Sequence, residues 1–155
     1  MDHGAHIEED GLKMMVEKGL ALVPTLRVYM ELSQSEGVIP QNIVEKAKVV
    51  TANQKNTFKK AMELGVKIAL GTDAGSPNFG PHPSVYKEMI TMRDYGMSNI
   101  DVIKSATING AEVLENDKIG VIEVGRNADI VVLDKNPIED LEAFKEVKYV
   151  LKDGK

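Results

Sequence analysis

The chain carries three histidines, His3, His6 and His82, and no cysteine. Without thiols there can be no disulfide, cysteine nucleophile or thiolate metal site. Any metal would therefore be held by imidazole nitrogen and carboxylate oxygen, the usual ligands of catalytic zinc, iron or manganese. All three histidines fall in stretches read as loops flanking strand ends, a placement that favours chemistry over packing. An isolated histidine with no second ligand close by in sequence is nevertheless more often structural. Asp73 is the most informative single residue. It follows an apolar run and stands between Gly71 and Gly75, where backbone can bend closely around a substrate or metal. An aspartate that starts a turn or caps a helix explains the same pattern equally well.

Other chemistries fit less well. The turn-rich stretch 71–83 holds neither Gly-x-Gly-x-x-Gly nor Gly-Lys-Ser/Thr, so it is no phosphate cradle. There is no Gly-x-Ser-x-Gly, and Ser76 precedes a proline, which removes serine hydrolysis. A strand followed by an aspartate also permits a phosphotransfer site in a doubly wound fold, the weakest of these readings.

The elements that must position these groups follow from periodicity. Leu12, Met15 and Val16 recur at helical spacing, and Gly19 stops a short helix. The apolar run 20–26 is interrupted by Pro24, which has no N–H for a ladder, and predicts a strand ending near Thr25. A longer helix starts after Pro40, with Ile43, Ala47, Val50, Phe58, Ala61 and Met62 on one face and Gly65 at its end. Lys46, Lys48, Lys55, Lys59 and Lys60 form its solvated side. Residues 66–70 predict a strand feeding the Asp73 loop. Val85, Met89 and Met92 mark a helix ended by Gly96, and Ser98 with Asp101 forms a capping box opening a helix through Leu114. Single strands alternating with helices argue for βα units around a parallel sheet. After Asn116 the pattern shifts to short apolar runs punctuated by Gly120 and Gly125, with strands expected at 128–133 and 147–151. Most of the eight methionines fall at core spacing.

Composition bounds the partners. At 155 residues, 43% hydrophobic and 28% charged, the chain is an ordinary globular protein. It is too short for a complete eight-stranded α/β barrel, which takes about 250 residues. A net charge of −5 argues against nucleic acid. No apolar run spans a bilayer and no secretion signal opens the sequence, so no membrane partner and a cytoplasmic location are expected.

Taken in order, several stretches resemble the carboxyl-terminal half of the amidohydrolase superfamily, in particular its imidazolonepropionase-like and Xaa-Pro dipeptidase-like members. Asp2-His3-Gly4 resembles the turn after the sixth strand of that family's barrel, and Leu22-Val23-Pro24-Thr25-Leu26 resembles the seventh strand. Gly71-Thr72-Asp73-Ala74-Gly75 resembles the eighth. Ser105-Ala106-Thr107-Ile108-Asn109-Gly110-Ala111 is similar to the helix that follows, and 120–134, with Gly125-Arg126-Asn127-Ala128-Asp129, to the return into a small β domain.

The resemblance implies an α/β fold: the C-terminal part of a TIM-type (β/α)8 barrel over residues 1–116, followed by a small, incomplete β module over 117–155. It implies a metal-dependent hydrolase cleaving a C–N bond in an amide, dipeptide or cyclic amide. His3 would be a metal ligand, and Asp73 would bind a divalent metal, zinc by resemblance, and shuttle a proton. His82, Thr25 and Tyr29 would face substrate, while His6 matches no motif of the family. The family's His-x-His after the first strand, its bridging lysine or carboxylate on the fourth and its histidine on the fifth have no counterpart here. The chain is thus expected to be a fragment lacking an N-terminal half, or one half of a two-chain barrel. The rival reading is a non-catalytic remnant that self-associates as a homo-oligomer through exposed sheet edges.

Overall fold

The computed structural model describes residues 1–75 and 85–155. His82 and the latter part of the turn-rich stretch therefore lie outside the described residues.

Three segments run parallel: residues 1–3, β1 (Ala21–Leu22) and β2 (Lys67–Ile68), with β1 in the middle. Val23 N donates to Met1 O at 2.9 Å, His3 N to Val23 O at 2.9 Å and Ala69 N to Leu22 O at 3.0 Å. Parallel strands need crossovers, and helices supply them. α1 (Glu9–Glu17) leads into β1, while α2 (Leu26–Ser33) and α3 (Gln41–Leu64) lie between β1 and β2. Leu12 and Met15 bury one face of α1, and Gly19 turns the chain away at φ +64°.

The sequence reading places Ile43 on the apolar face of α3, but Ile43 is exposed. The buried stripe is instead Val44, Ala47, Gln54, Phe58 and Ala61, with Thr57 beside it. Its spacing of three, four and seven residues is regular only when the polar Gln54 is included, and a stripe drawn from apolar residues alone drifts off the true face. Val16 is likewise exposed.

α2 begins at Leu26, directly after the strand end predicted near Thr25, where periodicity marks no helix. That helix begins without a side-chain cap of its own, so no local signal marks its start.

Beyond the Asp73 loop, α4 (Val85–Asp94) is followed by α5 (Asn99–Ala106) and α6 (Ile108–Val113). Ser98 caps α5 as expected, Asp101 N donating to Ser98 Oγ at 3.2 Å, but the Asp101 carboxylate accepts from the Ser98 hydroxyl at 2.5 Å instead of closing a capping box on the Ser98 N–H. The single helix expected through Leu114 is broken at Thr107, with φ −124° and ψ −94°. A continuous helix would use the Ser105 carbonyl on residue 109. Here that carbonyl accepts from Leu70 N at 2.9 Å, and the Asn109 side chain donates to Ile68 O at 2.8 Å. The break thus satisfies backbone groups on the open edge of β2.

The core gathers Leu12, Leu22, Leu26, Phe58, Met92 and Val102. Met15, Met89, Met92 and Met97 are buried as expected, whereas Met1 and Met14 are exposed. β3 (Ile130–Leu133) pairs antiparallel with β4 (Val147–Leu151), with an irregularity between Val132 and Leu133. The 3-10 turn Leu141–Lys145 before β4 sinks Leu141 into the main core. No helix among the described residues is long and apolar enough to cross a membrane.

Gly71 marks a close approach between β2's continuation and β1's. A Cβ there would run into Val23 Cγ1, on a side chain with little rotamer freedom. Gly71→Ala is therefore expected to destabilise the chain by about 1–3 kcal/mol, read as a lowered urea midpoint at unchanged slope. An unaltered midpoint would mean that the two segments part freely.

Candidate functional site

Each of the three parallel segments ends in a non-glycine residue with left-handed backbone: His3 at φ 63°, Thr25 at φ 47° and Asp73 at φ 52°. Positive φ is uncommon outside glycine, and for a β-branched residue such as threonine it is an outlier. Strain of this kind persists only where surrounding structure holds it, and it clusters at functional sites. The other two such residues among those described, Glu115 and Asp153, lie in exposed stretches.

His3 and Thr25 are in direct contact, Nδ1 to Oγ1 at 2.5 Å, and Thr25 Oγ1 donates to Pro24 O at 2.8 Å. A hydroxyl has one proton. With that proton on Pro24 O, the His3 contact needs Nδ1–H as donor, which leaves the lone pair on Nε2. A metal-binding histidine is oriented in this way, one ring nitrogen tied to a protein oxygen and the other left for the metal. The Tyr29 ring stands edge-on to the imidazole, with centroids 6.0 Å apart.

Two buried polar side chains that the sequence reading missed support this pair. Gln54 Nε2 donates to His3 O at 3.1 Å and to Pro24 O at 2.9 Å, tying the first segment's end to β1's from beneath. Glu88, on α4, accepts from Leu26 N at 2.8 Å and from Arg27 N at 2.7 Å, capping the start of α2. Thr25, Gln54 and Glu88 are 4%, 2% and 0% exposed. A signal for both existed: Gln54 sits four and seven residues before Phe58 and Ala61, and Glu88 four residues before Met92. A polar residue on an otherwise buried stripe needs a partner from elsewhere.

Asp73 is exposed, in a turn where Ala74 N donates to Thr72 Oγ1 at 3.2 Å. His6 lies at the surface and meets Asn53 Nδ2 at 3.3 Å, outside the His3–Thr25 pair. In donor chemistry His3 and Asp73 suit a divalent metal, an imidazole nitrogen and a carboxylate at the ends of the two outer parallel segments, with β1 between them. They are two ligands. Among the described residues no group of three or more His, Cys, Asp or Glu side chains is placed to hold an ion.

Parallel strands with helical crossovers and polar, left-handed residues at their carboxyl ends define an α/β protein of the kind whose ligands gather at that rim. The Amidohydrolase family profile matches residues 1–155, and the chain belongs to that family. It is 29% identical over 163 residues to ochratoxinase of Aspergillus niger, covering 100% of this chain and 33% of that protein. To imidazolonepropionase of Rhodococcus jostii it is 29% identical over 138 residues, 85% of this chain and 33% of that protein. The crystal structure of a Xaa-Pro dipeptidase with methionine bound in its active site superposes with a TM-score of 0.89 at 36% identity, over 99% of this chain and 38% of the other. The chain thus spans about a third of the length of these curated relatives.

Burial raises the Glu88 carboxyl from its ordinary 4.5 to about 7, opposed by the N–H groups of Arg27 and Leu26 and by the Arg27 charge. Between those two values the folded chain holds a proton that the unfolded chain has released. This group's stability is therefore fully present below about pH 4.5, declines as pH rises towards about 7 and is level above. The decline is expected to be on the order of 3 kcal/mol in urea unfolding across that window, and Glu88→Gln should flatten it. An equal slope in wild type and variant would refute the assignment.

Proposed function

We propose that this chain supplies part of the active site of a metal-dependent hydrolase that cleaves a C–N bond in a small amide, a dipeptide or a cyclic amide. The observation that carries the reading is the placement of His3 and Asp73, in left-handed conformation, at the ends of the first and third parallel segments, with His3 oriented by Thr25 between them. Family membership supports it, as does the likeness to a Xaa-Pro dipeptidase. In this reading residues 1–116 form the sixth to eighth βα units of a (β/α)8 barrel, and 117–155 part of a small β module. The remaining strands and metal ligands come from a longer polypeptide or from a partner chain.

His3, through Nε2, and Asp73 would hold the divalent cation, zinc in this proposal. When bound, such a cation supplies Lewis acidity, making a water molecule acidic near neutrality and polarising the substrate carbonyl. Asp73 takes a proton from the attacking water and delivers it to the leaving nitrogen. The water oxygen joins the carbonyl carbon as the C–N bond breaks, giving a carboxylic acid and an amine. Exposure suits Asp73 to this role, since a substrate arriving from solvent could reach it. Thr25 keeps the imidazole in the tautomer whose lone pair faces out. Tyr29, edge-on to His3, would offer an aromatic wall to the substrate, and His82 a polar group from the sequence beyond Asp73.

The test is hydrolysis of a Xaa-Pro dipeptide, an N-acyl amino acid and a cyclic amide by the longest polypeptide that carries this chain, in zinc-supplemented buffer. Asp73→Asn should lower kcat by at least about 100-fold while leaving the folded state intact. Full activity in that variant overturns the proposal. Chelation should abolish turnover and zinc restore it, and His3→Gln should raise the zinc concentration needed for restoration.

A further inference from the structure

A threonine at the start of a helix ordinarily has extended backbone and accepts from an N–H of the first turn through its own oxygen. Thr25 does neither. Its backbone is left-handed, with φ 47° and ψ 51°, and it makes no side-chain cap to α2. Its hydroxyl is committed to Pro24 O and to His3 Nδ1. The first N–H groups of a helix still need acceptors, all the more where no water reaches them. Glu88 provides them, one carboxylate oxygen to Leu26 N and the other to Arg27 N.

We propose that Glu88 is a positioning residue for His3: by taking over the cap of α2 it holds Thr25 in its left-handed conformation and frees the Thr25 hydroxyl to fix the His3 ring with Nε2 outward. The proposal rests on the reading of His3 as a metal ligand for its purpose, but not for its geometry. Gln54 works from the other side, gripping His3 O and Pro24 O, so that backbone and ring of His3 are set separately. Glu88 touches neither His3 nor Asp73, and its effect passes through the αL residue between β1 and α2. Its fully buried position leaves solvent no means of replacing it.

The measurement is made on the 155-residue chain, labelled with 15N, from the histidine ring spectra at a pH where the imidazoles are neutral. His3 signals are assigned by their loss in His3→Gln. Wild type should show His3 as the Nδ1–H form alone. Glu88→Gln, which puts an N–H donor against the helix start, should turn His3 into a mixture of tautomers. Thr25→Val should do the same, Thr25→Ser should not, and the double variant Glu88→Gln/Thr25→Val should be no worse than either single change. In the longest polypeptide that carries this chain, zinc affinity by chelator competition should fall about 10-fold in Glu88→Gln, the size expected when a ligand loses its orienting partner.

Should Glu88→Gln fail to fold, Glu88→Asp keeps the charge but shortens the reach by one methylene, and it is read in the same way. A folded Glu88 variant with lower Tm but an unchanged His3 tautomer overturns the proposal, leaving Glu88 a purely structural cap. Loss of the single tautomer in Glu88→Gln, together with a zinc affinity of the longer polypeptide that His3→Gln leaves unchanged, supports the positioning role and counts against the metal-ligand reading. An unmoved tautomer with zinc bound through His3 does the reverse.

Discussion

A single buried carboxylate joins the parts of this molecule that matter for its rim. Glu88 reaches from α4 to the first two N–H groups of α2, across 62 and 61 residues of chain. Its position is the outcome of a contest: burial resists a charge there, while two N–H donors, the Arg27 guanidinium and the positive end of a helix favour one. Because α2 begins where β1 ends, anchoring the helix also anchors the strand's last residues. Those residues in turn hold His3. The cap is thus a structural link between the outer helices and the polar residues at the strand ends.

The rim itself is built on left-handed turns. A parallel strand that must hand its chain abruptly to a helix or loop can do so with one residue at positive φ, and glycine is the unstrained choice. Here the three positions carry histidine, threonine and aspartate, all with side chains able to bond or ligate. Glycine at any of them would relax the backbone and remove the functional group. The close approach at Gly71, against Val23, shows the opposite choice where only space is needed.

The open side of β2 is handled by rearranging a helix. Breaking α5 from α6 at Thr107 turns the Ser105 carbonyl and the Asn109 amide towards Leu70 and Ile68. An exposed edge with unpaired N–H and C=O groups invites pairing with another chain, and two of those groups are occupied. The C-terminal ribbon of β3 and β4 is tied back by Leu141 in the core and by Asn99 Nδ2, which donates to Ile138 O at 2.9 Å. The amidohydrolase family profile matches residues 1–155, and the chain spans about a third of its curated relatives' length.

Features with local causes were determined by the sequence alone. Gly19, Gly65 and Gly96 end helices in left-handed turns, Ser98 and Asp101 open one, and β3 and β4 fall where β-prone runs stand. The positions of His3 and Asp73 beyond strand-like runs were legible because the short runs before them are apolar and their neighbours are turn-forming. The tertiary structure alone decided the register of α3's buried face, the existence of α2, the break at Thr107 and the roles of Gln54 and Glu88. The physical reason is common to all four. Each depends on a polar group satisfied by a partner distant in sequence: Gln54 by His3 and Pro24, the α2 start by Glu88, Leu70 by Ser105. Periodicity of apolar residues carries no record of such partners, so they become visible only when the chain is folded.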